Sequence, residues 1–149
     1  MALKIGTKAP DFTLSSTGSK KISLSKDFSG KALIIYFYPR DFTPGCTAEA
    51  CEFRDKFEDF RDLSIPILGI SKDNIESHER FKKTYKLPYD LLSDTSGKVC
   101  QAYDALIPLI KIPKRISYLL NEDHEIVAAF SEFFEAKKHI ENMLKSIKK

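Results

Sequence analysis

The chain has 149 residues, of which 42% are hydrophobic and 30% are charged, and its net charge is +3. This length fits one domain with a buried core, and this composition is typical of a folded globular protein rather than a disordered one. Basic and acidic side chains are interleaved along the chain, so no single-sign surface suited to nucleic acid is predicted. We therefore expect one domain spanning residues 1–149.

Neither a membrane span nor an export signal is expected from the sequence. Its longest apolar run, Ala32 to Tyr38, is too short to span a bilayer. Residues Met1 to Pro10 lack the apolar stretch of a signal peptide, so a cytoplasmic protein is expected. Three cysteines are too few for a structural disulfide framework, and in a reducing compartment spaced cysteines more often indicate metal or redox chemistry.

The N-terminal third predicts a β-hairpin and a central strand. Phe12 to Leu14 and Lys21 to Leu24 are strand-like, and Ser15 to Lys20 between them has the composition of a turn. Ala32 to Tyr38 is an unbroken apolar and aromatic run that Pro39 ends, which is typical of a strand buried on both faces.

A helical pattern follows the central strand. It runs from Thr43 to about Arg61, and its apolar side chains lie on one side of the helical wheel. Ile65 to Ile70 then has the character of a second buried strand. A strand, a helix and a strand in this order predict a parallel crossover unit. The apolar side chains of the helix are Ala50, Phe53, Phe57 and Phe60.

The second half of the chain adds further strands and helices. Asn74 to Tyr85 predicts an amphipathic helix, Tyr89 to Leu92 a short strand and Gly97 to Tyr103 a helical turn. The last predicted elements are a hairpin of Ser117 to Leu120 and Ile126 to Phe130 around Asn121 to Glu125, and a closing helix from about Phe133 to Ile147. This order predicts an α/β fold with a central mixed sheet flanked by helices and an N-terminal hairpin.

The segment after the strongest strand carries the candidate chemistry. The carboxyl end of such a strand is where open α/β sheets build their sites. Thr43 followed by Pro44 predicts a helix N-terminus, which places Cys46 in the first turn. There the sulfur lies near unpaired backbone N–H groups and the positive end of the helix dipole, which favour the thiolate. Cys46 is therefore a candidate nucleophile.

Cys51 follows five residues later on the polar side of the same predicted helix. A cysteine that only fills the core belongs on the opposite, aromatic side, so this position favours a functional thiol. Positions i and i+5 of an intact helix are roughly 8–9 Å apart at Cα, whereas a disulfide needs about 4.4–6.8 Å. If Cys46 and Cys51 form a disulfide, the first helical turns must unwind.

These residues resemble a known family. Pro39, Thr43 and Cys46 match the Pro-x-x-x-Thr-x-x-Cys signature of peroxiredoxins, and Cys51 resembles the resolving cysteine of the Q-type subfamily, the bacterioferritin comigratory proteins. The Ala-Pro-Asp-Phe-Thr-Leu stretch near the start, the Tyr-Phe-Tyr-Pro strand end and Arg115 before a Ser-Tyr-Leu-Leu strand extend the similarity over most of the chain.

The resemblance implies a thioredoxin-like fold and a thiol peroxidase of the atypical two-cysteine type. It would reduce hydrogen peroxide and organic hydroperoxides without a metal or an organic cofactor, and thioredoxin or a similar dithiol would recycle it. By position, Cys46 is the peroxidatic cysteine and Cys51 the resolving one. Thr43 would hydrogen-bond the peroxide and thiolate, Pro39 would shield the pocket, and Arg115 would hold the thiolate and a peroxide oxygen. An intramolecular pair allows a monomer.

Three further kinds of residue have more than one interpretation. Glu49 is equally suited to orient Arg115 or to stabilise the helix N-terminus. Cys100 has no partner cysteine nearby, so we expect core filler rather than an alternative resolving thiol. The histidines are scattered without ligand spacing, so no zinc site is expected; they are His78, His124 and His139.

Two other functions remain open at this point. A disulfide-exchange protein on the same fold usually carries Cys-x-x-Cys, and the longer spacing of Cys46 and Cys51 argues against it. A redox sensor that passes oxidation to a partner protein is not excluded by the sequence. Turnover with a dithiol donor distinguishes a peroxidase from a redox sensor, because a peroxidase must turn over and a sensor need not.

Overall fold

The computed structural model describes residues 2–131 and Lys145. Its strands are β1 (Thr13–Ser16), β2 (Lys20–Ser23), β3 (Leu33–Phe37), β4 (Ile67–Ser71), β5 (Asp90–Ser93), β6 (Ile116–Leu120) and β7 (Ile126–Phe130). Its helices are α1 (Leu24–Asp27), α2 (Pro44–Asp55), α3 (Phe57–Asp62), α4 (Ile75–Tyr85) and α5 (Lys98–Ala102). In this part of the chain the strands form one sheet in the order β2-β1-β5-β4-β3-β6-β7.

Strand β3 lies inside the sheet and explains its mixed character. It pairs in parallel with β4 and antiparallel with β6, and all of its residues are buried. Leu33, Ile35 and Phe37 point into one core cluster, and Ile34 and Tyr36 into the other, because alternate side chains of a strand face opposite sides. The predicted α/β class, the mixed sheet and the doubly buried central strand are confirmed.

Helices cover both faces of the sheet. Ala50 and Phe53 of α2, Phe60 of α3 and Phe81 of α4 belong to the same core cluster as Tyr36. Leu24 of α1 and Cys100 of α5 belong to the cluster on the opposite face. Tyr36 and Phe53 stack with ring centroids 4.6 Å apart, which fixes α2 directly over β3.

The N-terminal hairpin is confirmed with different boundaries. The strands β1 and β2 pair antiparallel, but the turn contains only residues 17–19 instead of the predicted Ser15 to Lys20. Ser15 and Ser16 remain in the strand because they also pair with Ser93 and Leu92 of β5. Strand β5 is distant in the sequence, yet it pairs with the backbone of these two serines. The local composition of residues 15–20 does not reveal this pairing.

Two helical features were not predicted. Leu24 begins the short helix α1 rather than ending a strand, and an Asp27 carboxylate accepts a hydrogen bond from the Ser23 N–H at 2.7 Å. The helix predicted up to Arg61 is divided at Lys56 into α2 and α3. The apolar periodicity continues across this break, so the sequence pattern hides it, although acidic residues in the first turn of α3 are typical of a new helix N-terminus.

The other predicted elements within the described residues are present. Strands β4 and β5, helices α4 and α5, and the β6–β7 hairpin lie within two residues of their expected positions. No described helix has the length and apolar character that a bilayer crossing requires. The predicted closing helix from Phe133 to Ile147 lies outside the described residues.

Candidate active site

The helix α2 begins where the sequence places it, just beyond the carboxyl end of β3. Thr43 has the extended backbone of an N-cap and Pro44 is the first helical residue. The Thr43 hydroxyl, however, does not cap the helix and instead donates to the Arg40 carbonyl oxygen at 2.9 Å. Pro39 is half-buried at the start of the same loop. The loop therefore brings Pro39 and Thr43 to the helix end that carries Cys46.

Cys46 and Arg115, which are far apart in the sequence, form the centre of the site. Cys46 is 1% exposed. Arg115 precedes β6, and its Nη2 donates to the Cys46 sulfur at 3.1 Å. The guanidinium side chain is itself 10% exposed, so little water competes for this contact. Arg115 therefore places a buried, permanently positive donor directly on the Cys46 sulfur.

Glu49 contacts the other arm of the same guanidinium. Its Oε1 accepts from Arg115 Nη1 at 2.8 Å, and the Glu49 side chain is completely buried. Burial raises the pKa of Glu49 to about 7, although Arg115 acts in the opposite direction. Burial works against the charge of Arg115, but Glu49 and Cys46 together raise the pKa of this guanidinium above its usual value. Of the two roles considered for Glu49, the contact supports orientation of Arg115.

Gly45 leaves the space that Arg115 occupies, a role that was not predicted from the sequence. A Cβ at this position would lie 2.9 Å from Arg115 Nη2, closer than carbon and nitrogen atoms normally approach. The atom that would be displaced is the one that contacts Cys46. A glycine immediately before a candidate nucleophile is a sign of close packing at that position. The sequence does not show that the group packed there is the side chain of Arg115.

Cys51 lies on the same unbroken helix as Cys46. It is partly exposed, both thiols are free, and α2 is continuous from Pro44 to Asp55. Burial raises the pKa of the Cys51 thiol; nearby Arg54 lowers it and Asp55 raises it. Cys51 is therefore a thiol at neutral pH. The helix keeps the two cysteines at the separation that excludes a disulfide without unwinding.

Cys100 differs from Cys46 and Cys51 in both location and reactivity. It is fully buried in the core cluster on the opposite face of the sheet from Cys46. Burial, reinforced by Asp94, raises the pKa of Cys100 far above its usual range. A thiol that is both inaccessible and protonated does not react readily, so the structure supports the interpretation of Cys100 as core filler.

One group of potential metal ligands occurs within the described residues. Donor atoms of Asp41, Asp73 and His78 lie within 4.8 Å of one another. His78 Nδ1 and Asp41 Oδ2 are 2.7 Å apart and directed at each other, as in a hydrogen bond. In the sequence, His78 is one of three scattered histidines and Asp41 belongs to no predicted site. His124 instead contacts the Phe28 carbonyl oxygen, and His139 lies outside the described residues.

Comparison with known proteins assigns the family. Residues 5–129 match the AhpC/TSA family, and the chain belongs to it. Within that family its relatives carry Q-type names. A chloroplastic peroxiredoxin Q of Suaeda salsa is 43% identical over 141 residues, which cover 94% of this chain and 65% of that protein. A putative peroxiredoxin bcp of Coxiella burnetii is 40% identical over 136 residues, covering 87% of this chain and 89% of that protein.

Solved structures show the same similarity in three dimensions. Peroxidoxin BcpB of Mycobacterium tuberculosis superposes with a TM-score of 0.91 at 30% identity, covering 98% of this chain and 97% of that one. A PrxQ mutant of Xylella fastidiosa superposes with a TM-score of 0.89 at 28% identity, covering 99% and 97%. The resemblance to Q-type peroxiredoxins and the thioredoxin-like fold that it implied are confirmed. The chain spans less than two thirds of the Suaeda salsa relative.

Proposed function

We propose that this chain is a thiol peroxidase that reduces hydrogen peroxide and organic hydroperoxides. The observation that carries the proposal is the 3.1 Å contact between Arg115 Nη2 and the sulfur of Cys46. It supplies two things that peroxide reduction needs at one point, a positive charge beside the attacking sulfur and a donor beside the reacting oxygens. The family membership and the peroxiredoxin Q names of the relatives support the same activity.

In the proposed first step, the Cys46 thiolate attacks the terminal oxygen of the hydroperoxide. A sulfur–oxygen bond forms, the oxygen–oxygen bond breaks, and Cys46 becomes a sulfenic acid. The leaving oxygen takes up a proton and departs as water or an alcohol. Arg115 and the backbone N–H of Cys46 stabilise the charge that develops on the two oxygens. The Thr43 hydroxyl contributes after it turns from the Arg40 carbonyl to the substrate, while Pro39 shields the pocket.

In the proposed second step, Cys51 resolves the sulfenic acid. The Cys51 sulfur displaces hydroxide from the Cys46 sulfur, a proton from the Cys51 thiol completes water, and an intramolecular disulfide remains. The separation of the two positions on α2 requires its first turns to unwind for this step. Amide exchange across residues 44–54 that is equally slow in the reduced and oxidised protein would contradict this.

The proposed cycle closes with an external dithiol. Thioredoxin or a similar protein reduces the Cys46–Cys51 disulfide by thiol–disulfide exchange and is itself oxidised. Because both redox cysteines belong to one chain, a monomer suffices. We place the protein in a reducing compartment such as the cytoplasm, because the dithiol donor must itself be kept reduced. The proposed cycle uses no metal or organic cofactor.

The decisive experiment is an intact mass and peptide map of the reduced protein before and after one equivalent of hydrogen peroxide. Wild type is expected to lose two hydrogens and to yield a Cys46–Cys51 peptide, and Cys46→Ser to consume no peroxide. Cys100→Ser is the matched control and is expected to behave as wild type, because Cys100 is buried in the other core cluster. Peroxide consumption retained by Cys46→Ser would refute the proposal.

A further inference from the structure

A buried polar cluster lies beneath the loop that joins β3 to α2, and its centre is Asp41. The Tyr38 hydroxyl donates to Asp41 Oδ1 at 2.6 Å, and the Ser77 hydroxyl donates to Oδ2 at 2.8 Å. His78 Nδ1 lies 2.7 Å from the same Oδ2. Asp41 is 5% exposed and His78 is 0% exposed. A carboxylate and an imidazole buried this deeply must satisfy each other.

Hydrogen bonds hold both ring nitrogens of His78. Nε2 donates to the Leu92 carbonyl oxygen at 2.9 Å, because a carbonyl can only accept. Nδ1 lies 2.7 Å from Asp41 Oδ2, so one hydrogen is shared between these two atoms. The imidazole ring is therefore fixed in orientation and joins the Asp41 side chain to the backbone of β5.

This pair attaches the loop to two other elements. Through His78, Asp41 is joined to α4 and to the Leu92 carbonyl of β5. The Asp41 backbone N–H also donates to Asp73 Oδ2 at 2.9 Å, and the Ser71 hydroxyl at the end of β4 holds that same oxygen at 2.6 Å. Backbone and side chain of Asp41 are thus both held by the sheet and its covering helix.

The hydrogen-bonded attachment to α4 and the sheet ends at Asp41, and the next residue, Phe42, contacts α4 only through its ring, which packs on Phe81 with centroids 5.0 Å apart. Phe42 has the left-handed φ of 66°, which a bulky side chain rarely adopts. The helical hydrogen bonds of α2 begin with the Thr47 N–H, which donates to the Thr43 carbonyl at 2.8 Å. The residue held by hydrogen bonds, Asp41, is therefore followed directly by the backbone bend at Phe42 and by the start of α2 at Thr43.

We propose that Asp41 and His78 are positioning residues that fix the upstream end of the unwinding segment. The inference rests on the proposed function. While α2 is helical, the pair holds the loop so that Cys46 meets Arg115. When the disulfide forms, unwinding spreads back to Phe42 and stops at Asp41, so the helix refolds from a constant starting point. Neither residue touches the reacting atoms.

The test separates peroxide attack from disulfide closure. Rapid-quench intact mass measurement of reduced protein follows the sulfenic acid and the disulfide as separate species. His78→Asn is expected to slow sulfenic acid formation about tenfold, since small misplacements at a reacting centre have effects of this size. Disulfide closure is expected to be as fast as in wild type or faster, because closure needs the unwound segment.

A matched control and a milder variant keep the test interpretable. His124→Asn removes another largely buried histidine that contacts a backbone carbonyl, that of Phe28, and it is expected to leave the ratio of the two rate constants unchanged. Ser77→Ala removes one of the hydrogen bonds to Asp41 and is expected to shift the ratio in the same direction as His78→Asn by about threefold. If His78→Asn does not fold, Ser77→Ala provides the test in its place.

Amide exchange in the wild type provides an independent readout. The Asp41 amide is expected to stay protected in both the reduced and disulfide forms, whereas the Thr47 amide loses protection in the disulfide form. An unchanged rate ratio in both His78→Asn and Ser77→Ala, or loss of Asp41 protection in the disulfide form, overturns the inference. A wild type that forms neither sulfenic acid nor disulfide instead refutes the proposed function, so the two failures are distinguishable.

Discussion

Gly45→Ala is expected to reduce activity without reducing stability. The new Cβ would lie 2.9 Å from Arg115 Nη2, whereas ordinary contacts begin near 3.4 Å, so the guanidinium must withdraw by about 0.5 Å. Because a misplacement of about 1 Å at a reacting centre costs on the order of 10²-fold, about a tenfold loss in the peroxide rate constant is expected. Alanine favours the helix by up to about 1 kcal/mol over glycine, so the free energy of unfolding should not fall.

The assay is the second-order rate constant of Cys46 oxidation by hydrogen peroxide, measured beside urea unfolding of the reduced protein. A double-mutant cycle supplies the control. In an Arg115→Ala background the added Cβ meets no guanidinium, so Gly45→Ala should have no further effect on the rate. An equal additional loss in that background, or an unchanged rate in the single variant, would refute the role assigned to Gly45.

Three further predictions concern Glu49 and the other two cysteines. The folded pKa of Glu49, about 7, lies above its usual 4.5, so its contribution to stability is fully present below pH 4.5 and is lost as pH rises through 7. Relative to Glu49→Gln, wild type should therefore lose up to about 3 kcal/mol in the free energy of unfolding between pH 4.5 and pH 8, measured by urea titration; parallel pH profiles would contradict this. Cys51→Ser should form the sulfenic acid at the wild-type rate but then stall and over-oxidise, and unchanged multiple turnovers with thioredoxin would exclude Cys51 as the resolving thiol. Cys100→Ala should leave peroxide turnover unchanged and lower the unfolding temperature, because it removes a buried side chain; a slower disulfide step would show instead that this thiol takes part.

The sequence predicted what depends on local pattern. The run from Ala32 to Tyr38 identified the central strand because a strand covered on both faces is apolar throughout. Thr43 and Pro44 located the start of α2, and with it the position of Cys46, because helix N-termini have a local composition. These features are encoded within a few residues of where they act.

Other features depend on contacts between distant parts of the chain. Arg115 is 69 residues from Cys46 and 66 residues from Glu49. The family resemblance, and no local pattern, implied that Arg115 holds Cys46, and the fold shows that Glu49 contacts the same guanidinium. The space at Gly45 has meaning only once Arg115 is in place. Asp41 and His78 likewise lie on different elements, and no local pattern distinguishes a buried, paired histidine from a scattered one.

The packing of α2 explains which cysteine moves in the proposed cycle. Downstream, the Ala50 carbonyl accepts a hydrogen bond from the Tyr89 hydroxyl at 2.9 Å, and Phe53 stacks on Tyr36. Cys51 therefore lies next to residues that the core holds, whereas Cys46, although buried, lies on the first turns, where the Thr43 side chain does not cap the helix.

Oxidation also weakens what holds those turns in place. Arg115 Nη2 lies 3.1 Å from the Cys46 sulfur, and its attraction to a neutral sulfenic acid is weaker than its attraction to the thiolate that attacks the peroxide in the proposed cycle. Formation of the sulfenic acid should thus release the segment from Phe42 to Glu49. The release comes at the stage of the proposed cycle at which Cys46 must move toward Cys51. In the proposed cycle, Cys46 then moves to a stationary Cys51, and the short chain segment between them keeps the entropic cost of closing the ring low.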